Sequence, residues 1–168
     1  MKIVKALAIS AALTAYVGSA YAQDDDAGAY VNVGVDTLDF DTFGVGAKLG
    51  YNFTKNFGLE AQGSIGVIDD EVVTFGQTVD VGYDYIAGGF FTVSLPLGRD
   101  VSWISRFGYY TAEATATTGN VSASASTDGF AGGSAIQYMF GEKDGIRVDY
   151  TYLDDGGDTG SIAYVRKF

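Results

Sequence analysis

The chain has 168 residues, a formal net charge of −11, 24 glycines, 12 tyrosines and 11 phenylalanines, and it contains neither cysteine nor histidine. The missing residue types exclude disulfides, thiolate chemistry, imidazole general bases and the commonest zinc ligands. The acidic balance argues against nucleic acid as a partner, and the length suits one domain of many short strands.

The N-terminal segment has the pattern of a secretory signal. Lys2 and Lys5 precede an apolar run at 6–15, and Ala20 and Ala22 provide the small residues that a signal peptidase reads. We therefore predict a signal peptide at 1–22 and a mature domain at 23–168, with a short membrane anchor as the alternative. The mature segment keeps 8 basic and 21 acidic residues, so its net charge is 8 − 21 = −13. It has no run of 18 apolar residues, which excludes a transmembrane helix and leaves a closed β-barrel as the structure able to span a bilayer.

Alternation with a period of two begins at 27–35 and is clearest at 42–53, with sequence TFGVGAKLGYNF. One side of the second segment is apolar and aromatic, whereas the other side carries Thr, Gly, Lys and Asn. An apolar side with aromatic residues at both ends suits lipid, and a glycine-rich side suits a narrow lumen. The second segment therefore predicts one wall of a barrel with an apolar exterior. The predicted lipid-facing residues are Phe43, Val45, Ala47, Leu49, Tyr51 and Phe53.

The same period continues to the end of the chain and predicts eight strands. In the fourth segment Tyr83 is expected to face lipid, while Ile86 and Phe90 on the polar side depart from the pattern. The predicted strands lie at 27–35, 42–53, 57–67, 78–95, 101–110, 130–140, 146–152 and 159–168.

The connections between these strands alternate in length, as they do in transmembrane barrels. Short turns are predicted at 54–56, 96–100 and 141–145. Longer or more acidic loops are predicted at 36–41, 68–77, 111–127 and 154–158. The segment 111–127 is rich in Ala, Thr and Ser, and it is either a flexible loop or the extension of a hairpin beyond the membrane.

The ordered set of strands and the terminal sequence YVRKF resemble those of small bacterial outer-membrane β-barrels, the family that includes the OmpA transmembrane domain and OmpX. AYVNVGV, LGYNFTKNFGLE and FGYYTAEA support this resemblance. It implies an eight-stranded antiparallel up-and-down transmembrane β-barrel in the outer membrane of a Gram-negative cell. Phe168 would be the signal read by the barrel-assembly machinery, although Arg166 stands where the family favours an apolar residue. Outer-membrane lipid and lipopolysaccharide are the expected surroundings of a monomer.

Charged side chains on the polar side of the strands are predicted to meet in the lumen, because eight strands enclose only enough space for side chains. Buried charges there must pair. The predicted ion-pair network comprises Lys48, Glu60, Asp84, Arg106, Arg147 and Asp149, with Asp80 on the same side. A proton or ion path along these residues is the alternative to a structural role.

No catalytic, metal or cofactor site is predicted. Acidic runs at 24–26, 69–71 and 154–158 lack the ligand spacing of a calcium loop, so we interpret them as solvated charge. An inward carboxylate pair, Asp80 and Asp84, is too little for general acid–base catalysis.

The expected function is non-enzymatic, with a filled barrel that anchors acidic loops for contacts at the cell surface. A narrow passive channel for small solutes is the first alternative. A soluble, lipocalin-like periplasmic carrier is the second, and it requires the apolar faces of the strands to point inward.

Overall fold

The computed structural model describes residues 27–39, 41–68, 70–74, 77–118, 121–154 and 157–168, so the predicted signal peptide lies outside the described residues. The described residues form nine strands, and none of them belongs to a helix long and apolar enough to cross a membrane. The strands are β1 Gly28–Leu38, β2 Thr42–Asn52, β3 Phe57–Ile68, β4 Asp70–Thr74, β5 Gln77–Pro96, β6 Val101–Thr118, β7 Val121–Met139, β8 Asp144–Leu153 and β9 Gly157–Lys167.

Eight of these strands close into a barrel, which confirms the predicted fold. Within the ring, consecutive strands pair antiparallel, β1 pairs with β9, and β3 pairs directly with β5 and not with β4. The remaining strand, β4, pairs only with β5 and extends the wall beyond β3. Closure leaves no free edge within the ring, so the backbone of the wall satisfies its own hydrogen bonds.

The two ends of the barrel differ. We call the end that carries the turns 53–56, 97–100 and 140–143 the turn end, and the opposite end the hairpin end. Both ends of the described chain meet at the turn end, where the Phe168 amide donates to the Ala29 carbonyl at 3.0 Å. The turn end is compact, whereas β5, β6 and β7 run for 18 to 20 residues toward the hairpin end.

The exterior of the barrel is apolar and the lumen is polar, as the alternation predicts. Phe43 is 41% exposed and Leu59 is 57% exposed, whereas Lys48 and Glu60 are each 3% exposed. Aromatic rings cluster outside, with the Phe91 ring 5.2 Å from that of Phe107 between centroids. An apolar band that carries aromatic residues is the surface that lipid requires.

Two predicted loops are largely strand. Residues 68–77 were expected to form a loop, but β4 pairs with β5 from Asp70 opposite Val81 to Thr74 opposite Gln77. At 111–127 the hairpin alternative is confirmed, because β6 and β7 pair as far as Thr118 opposite Val121. Small, polar side chains obscure strand periodicity in such segments, so composition alone does not distinguish an irregular loop from a pair of hydrogen-bonded strands.

The register of β5 shifts at Asp84. Tyr83 pairs with Ala114 and Tyr85 pairs with Glu113, so Asp84 is an extra residue in the strand. A bulge of this kind interrupts the period of two and moves all residues before it to the other face. The prediction that Tyr83 faces lipid is therefore wrong, since its side chain is 3% exposed and lies in the lumen.

Apolar side chains fill the lumen near the hairpin end. Ile86 and Phe90, which interrupt the polar pattern of their strand, belong to this layer. We call it the apolar layer, and its members are Tyr83, Ile86, Phe90, Tyr110, Ala112, Ala131 and Leu153, with Leu38 packed against them. Ile86 and Phe90 therefore depart from the polar pattern for a structural reason, because they fill the lumen between the charged residues and the hairpin end.

Candidate functional site: the charged lumen and the hairpin end

Five of the six residues predicted for the lumen network lie together at the middle of the barrel. Lys48 comes from β2, Glu60 from β3, Arg106 from β6, and Arg147 and Asp149 from β8. Each is at most 4% exposed. Alternation turns all five inward, and closure of the ring brings the four strands to a common centre. We call these five residues the charged cluster.

Glu60 is one of the two anionic centres of the charged cluster. Its Oε2 lies 2.7 Å from Arg147 Nη1, and its Oε1 lies 3.2 Å from Arg106 Nη1. The Tyr30 hydroxyl donates a further hydrogen bond to Oε2 at 2.9 Å. Both carboxylate oxygens are therefore engaged, which is the condition under which a carboxylate can be buried without a large penalty.

Asp149 is the second anionic centre. Arg147 Nη2 lies 2.6 Å from its Oδ1, and Lys48 Nζ lies 2.9 Å from its Oδ2. Ser161 on β9 completes the contact, because its hydroxyl donates to Oδ2 at 3.2 Å and accepts from Lys48 Nζ at 2.7 Å. Arg147 bridges both carboxylates, so the cluster is one connected network.

Arg106 joins the charged cluster to the apolar layer. Its Cζ lies 3.8 Å from the centroid of the Phe90 ring, which is a cation–π contact. Its Nη2 donates to Gln62 Oε1 at 2.5 Å, and its Nη1 lies 3.3 Å from Asp149 Oδ1. The guanidinium is thus held by two acids, an amide and a ring, which leaves it little freedom to move.

The structure places Asp84, the sixth residue of the predicted network, at the β5 bulge and not at the level of the charged cluster. At the β5 bulge it is only partly buried, and its Oδ2 accepts a hydrogen bond from the Thr115 hydroxyl at 2.5 Å. The bulge adds one residue before the strand reaches the hairpin end, which displaces Asp84 from the inward row. The side chain of Asp80 lies outside the described part of the chain.

One buried acid, Asp36, lies outside the predicted network. The sequence pattern predicts a turn at 36–41, but β1 continues to Leu38 and the Asp36 side chain is 6% exposed in the lumen. Three cations and two anions give the charged cluster a formal charge of +1, and Asp36 adds a compensating negative charge. Continuing the alternation of Tyr30 and Asn32 along β1 would have identified it.

A polar vestibule of about 380 Å³ opens at the turn end. Ser94, Ser102 and Gln137 line its walls, and Lys143 and Lys167 stand among its other lining residues. Tyr30 and Ile104 lie at its inner limit. Beyond them come the charged cluster and then the apolar layer, so the vestibule ends inside the barrel.

Among the described residues of the hairpin end, all charged side chains are acidic. Its described acidic residues are Asp39, Asp41, Asp84, Glu113, Asp128, Asp154 and Asp158. In the described part of the chain no three acidic residues form a group that could hold a metal ion. The acidic run at 24–26 and parts of those at 69–71 and 154–158 lie outside the described residues.

Comparisons with known proteins agree with this geometry. The family model described as "Outer membrane protein beta-barrel domain" matches residues 8–165. No curated protein sequence matches the chain.

Solved structures of small barrels superimpose on the chain. Ail, the attachment invasion locus protein of Yersinia pestis, has a TM-score of 0.61 at 15% identity, covering 84% of this chain and 98% of Ail. Ail in complex with the heparin analogue sucrose octasulfate has a TM-score of 0.57 at 17% identity, with coverages of 84% and 98%. The N-terminal barrel of Pseudomonas aeruginosa OprF has a TM-score of 0.63 at 12% identity, with coverages of 84% and 97%.

Proposed function

Because the chain belongs to the outer membrane protein beta-barrel domain family, we propose that this outer-membrane protein is a non-enzymatic anchor for surface contacts. Its filled lumen holds the barrel rigid, and the hairpin end meets partners outside the cell. Short turns face the periplasm in barrels of this type, which assigns the hairpin end to the cell exterior.

A closed lumen is the observation that carries the anchoring role. Two layers of different chemistry block the axis in series: the charged cluster at the middle and the apolar layer nearer the hairpin end. Charged side chains that are each bonded to several partners do not move aside cheaply, since breaking a buried pair costs about 3–5 kcal/mol. A rigid plug is more consistent with these contacts than an ion path.

The outer hairpins support the surface role. β8 pairs with β7 only from Leu153 opposite Ala131, so residues 121–130 of β7 extend beyond the end of β8. Beside them β4, β5 and β6 extend as a continuous sheet. A barrel that served only as a plug would have no need for strands of this length.

The two alternatives fit the described residues less well. A passive channel requires an open axis, which the two layers obstruct. A soluble lipocalin-like carrier requires an apolar interior and a polar exterior, whereas Val45 and Leu59 are exposed and Arg147 is fully buried. The described barrel has the reverse arrangement, so the soluble carrier is wrong.

The membrane partners follow from the exterior of the barrel. Lipid and lipopolysaccharide cover the apolar band, and the chain functions as a monomer. Phe168 is the signal for the barrel-assembly machinery, and its side chain is 57% exposed beside the last strand. Arg166 is compatible with this role, since its Nη1 pairs with Asp144 Oδ1 at 2.9 Å at the turn end.

The proposal can be tested with a variant in which residues 113–126 are replaced by a two-residue turn, which keeps Ala112 opposite Thr127. We expect this variant to fold as a heat-modifiable barrel, because the ring lies below the removed segment. Cells displaying the intact chain should adhere to extracellular-matrix-coated surfaces more than cells displaying equal amounts of the shortened chain. Equal adhesion, or sustained conductance of the intact barrel in planar bilayers, would contradict the proposed function.

A further inference from the structure

We propose that the acidic segment, defined as residues 23–26 with sequence QDDD, folds back into the polar vestibule at the turn end and pairs with lysines at its rim. The acidic segment lies outside the described residues. The predicted cleavage after Ala22 makes it the start of the mature chain; this inference rests on that cleavage and is independent of the surface role, which concerns the opposite end of the barrel.

Basic side chains stand around the mouth of the vestibule. Lys55, Lys143 and Lys167 belong to its lining, and we call them the rim lysines. Glu142 is the one acidic side chain among the described lining residues. None of the rim lysines takes part in an ion pair with another described residue. A mouth with this excess of positive charge attracts anionic groups.

The chain enters the barrel wall between the rim lysines. On one side β1 pairs with β2, and Lys55 lies in the turn that follows β2. On the other side β1 pairs with β9, where the Lys167 amide donates to the Lys143 carbonyl at 2.7 Å. Ala27 and Gly28 themselves line the vestibule. The described chain therefore begins at the mouth of the vestibule, with rim lysines on both sides of it.

Length and charge favour the acidic segment as the occupant. Four extended residues span roughly 13–14 Å, which is enough to bring carboxylates from the mouth to the rim lysines. The segment supplies three aspartates, and the rim supplies three lysines. A group tethered by so short a chain has an effective concentration on the order of millimolar. A separate anion would therefore have to displace a counter-charge that is covalently attached at the same mouth.

The walls of the vestibule suit a polar occupant. Asn52, Ser94, Ser102 and Gln137 line them with amide and hydroxyl groups. The acidic segment contains no apolar side chain, and the amide of Gln23 can both donate and accept hydrogen bonds. Occupied in this way, the vestibule is closed to small anions at the turn end, and the charged cluster beneath it is left undisturbed.

Zero-length cross-linking of the barrel purified from outer membranes tests this pairing. The mass of the intact protein first establishes that it begins at Gln23. A carbodiimide then joins a carboxylate to an amine where the two groups are in contact. We expect amide links from Asp24, Asp25 or Asp26 to a rim lysine of the same chain, identified by mass spectrometry after trypsin digestion. Their yield should fall at least about fivefold in about 1 M sodium chloride, where the screening length is about 3 Å.

Charge variants identify the carboxylates that form the links. Asp24→Asn, Asp25→Asn and Asp26→Asn together should abolish them. The control is Asp39→Asn with Asp41→Asn, which removes two acids of the same tryptic peptide at the hairpin end and should leave the links unchanged. Heat-modifiable migration on a gel establishes that each variant is folded.

A nitroxide label attached through Gln23→Cys gives an independent measurement, since the chain has no cysteine of its own. Lys55→Gln, Lys143→Gln and Lys167→Gln together should increase the mobility of the label as much as the three Asn substitutions do. Combining the two sets should add nothing, because either set alone removes the pairing. Arg99→Gln is the matched control, since it removes a turn-end cation that is not among the described lining residues, and it should leave the label immobilised.

The pairing is refuted if the rim lysines give no links to the acidic segment, or if the links join two chains. Equal mobility of the label in the intact barrel and in both sets of variants would also refute it. Protection of the rim lysines from acylation by inorganic phosphate, without any links, would identify the vestibule as a site for free anions and overturn the inference. Retention of residues 1–22 in the purified barrel would overturn it as well, whereas none of these results bears on adhesion by the hairpin end.

Discussion

Glu60 shows how one side chain holds the lumen together. Its two oxygens bond to Arg147, Arg106 and Tyr30, which come from three different strands. A side chain that bonds to several strands distant in sequence stabilises the closed barrel against separation of those strands. Its contribution to the stability of the barrel is measurable, because removing one partner of a buried ion pair leaves the other charge buried without a counter-charge.

We expect Glu60→Gln to destabilise the barrel by about 3–5 kcal/mol, seen as a lower midpoint of urea unfolding in detergent micelles. The variant leaves two guanidinium groups without their shared carboxylate. Asp144→Asn is the matched control, because Asp144 pairs with Arg166 on an exposed surface and should cost less than about 1 kcal/mol. In a double-mutant cycle Glu60→Met combined with Arg147→Met should cost less than the sum of the single changes. Additive costs would contradict a coupled pair.

Glycine on the inward face makes room for the large polar side chains. A Cβ on Gly50 would collide with the Tyr30 ring, whereas a Cβ on Gly89, which faces outward, would meet nothing within 4 Å. We expect Gly50→Ala to destabilise the barrel by about 1–3 kcal/mol through overpacking. Gly89→Ala should leave the unfolding midpoint unchanged or slightly raised. Equal destabilisation by the two substitutions would contradict this explanation, because it would show that the inward position of Gly50 does not matter.

At the scale of the elements, the β5 bulge decides what the lumen contains near the hairpin end. It turns Tyr83 inward to join Ile86 and Tyr110, and it takes Asp84 out of the inward row. A strand with unbroken alternation would place an aspartate where the apolar layer now closes the axis. The single extra residue at the bulge therefore places the Tyr83 ring, and not the Asp84 carboxylate, in the lumen at this level of the barrel.

Single deletions in β5 test the bulge. Removing Asp84 restores regular pairing and keeps Tyr83 opposite Ala114, so we expect a folded, heat-modifiable barrel. Removing Val93, which pairs with Ser105 in the regular ladder, inverts the residues between it and the bulge, so Ile86 and Phe90 would face lipid; this should abolish the heat-modifiable form. Gel mobility with and without boiling distinguishes the two outcomes. Failure of the Asp84 deletion to fold would mean that the extra residue is required for closure.

At the scale of the whole molecule, two layers of side chains fill the lumen, and the basic and acidic residues are concentrated at different ends of the barrel. The charged cluster and the apolar layer act in series, so opening either one leaves the other in place. The basic residues lie in the lumen and at the turn end, while the charged residues described at the hairpin end are all acidic. This arrangement is consistent with the proposed function, in which the axis of the barrel is closed and contacts are made outside the membrane.

Series closure predicts non-additive conductance in planar bilayers. Arg106→Ala and Tyr110→Ala should each leave the barrel without sustained conductance, because one layer remains, and the double variant should conduct. Arg106 and Tyr110 are 2% and 1% exposed, so a gel assay must first establish that each variant is folded. If the double variant does not fold, Lys48→Ala with Tyr83→Ala opens the same two layers. Conductance by either single variant would show that one layer alone closes the axis.

Alternation along the chain determined the barrel, its apolar exterior and most of the lumen, because each inward residue is specified by a period of two within its own strand. Lys48, Glu60, Arg106, Arg147 and Asp149 could therefore be named from local pattern. Tertiary structure decided which residues meet, since ring closure brings β2, β3, β6 and β8 together across the lumen. It also decided where the side chains of Asp84 and Asp36 lie. Asp84 is at a bulge and Asp36 is near the end of β1, and both features depend on the strand that pairs with them. The unpaired edge of β7 depends on where β8 stops, which no residue of β7 encodes.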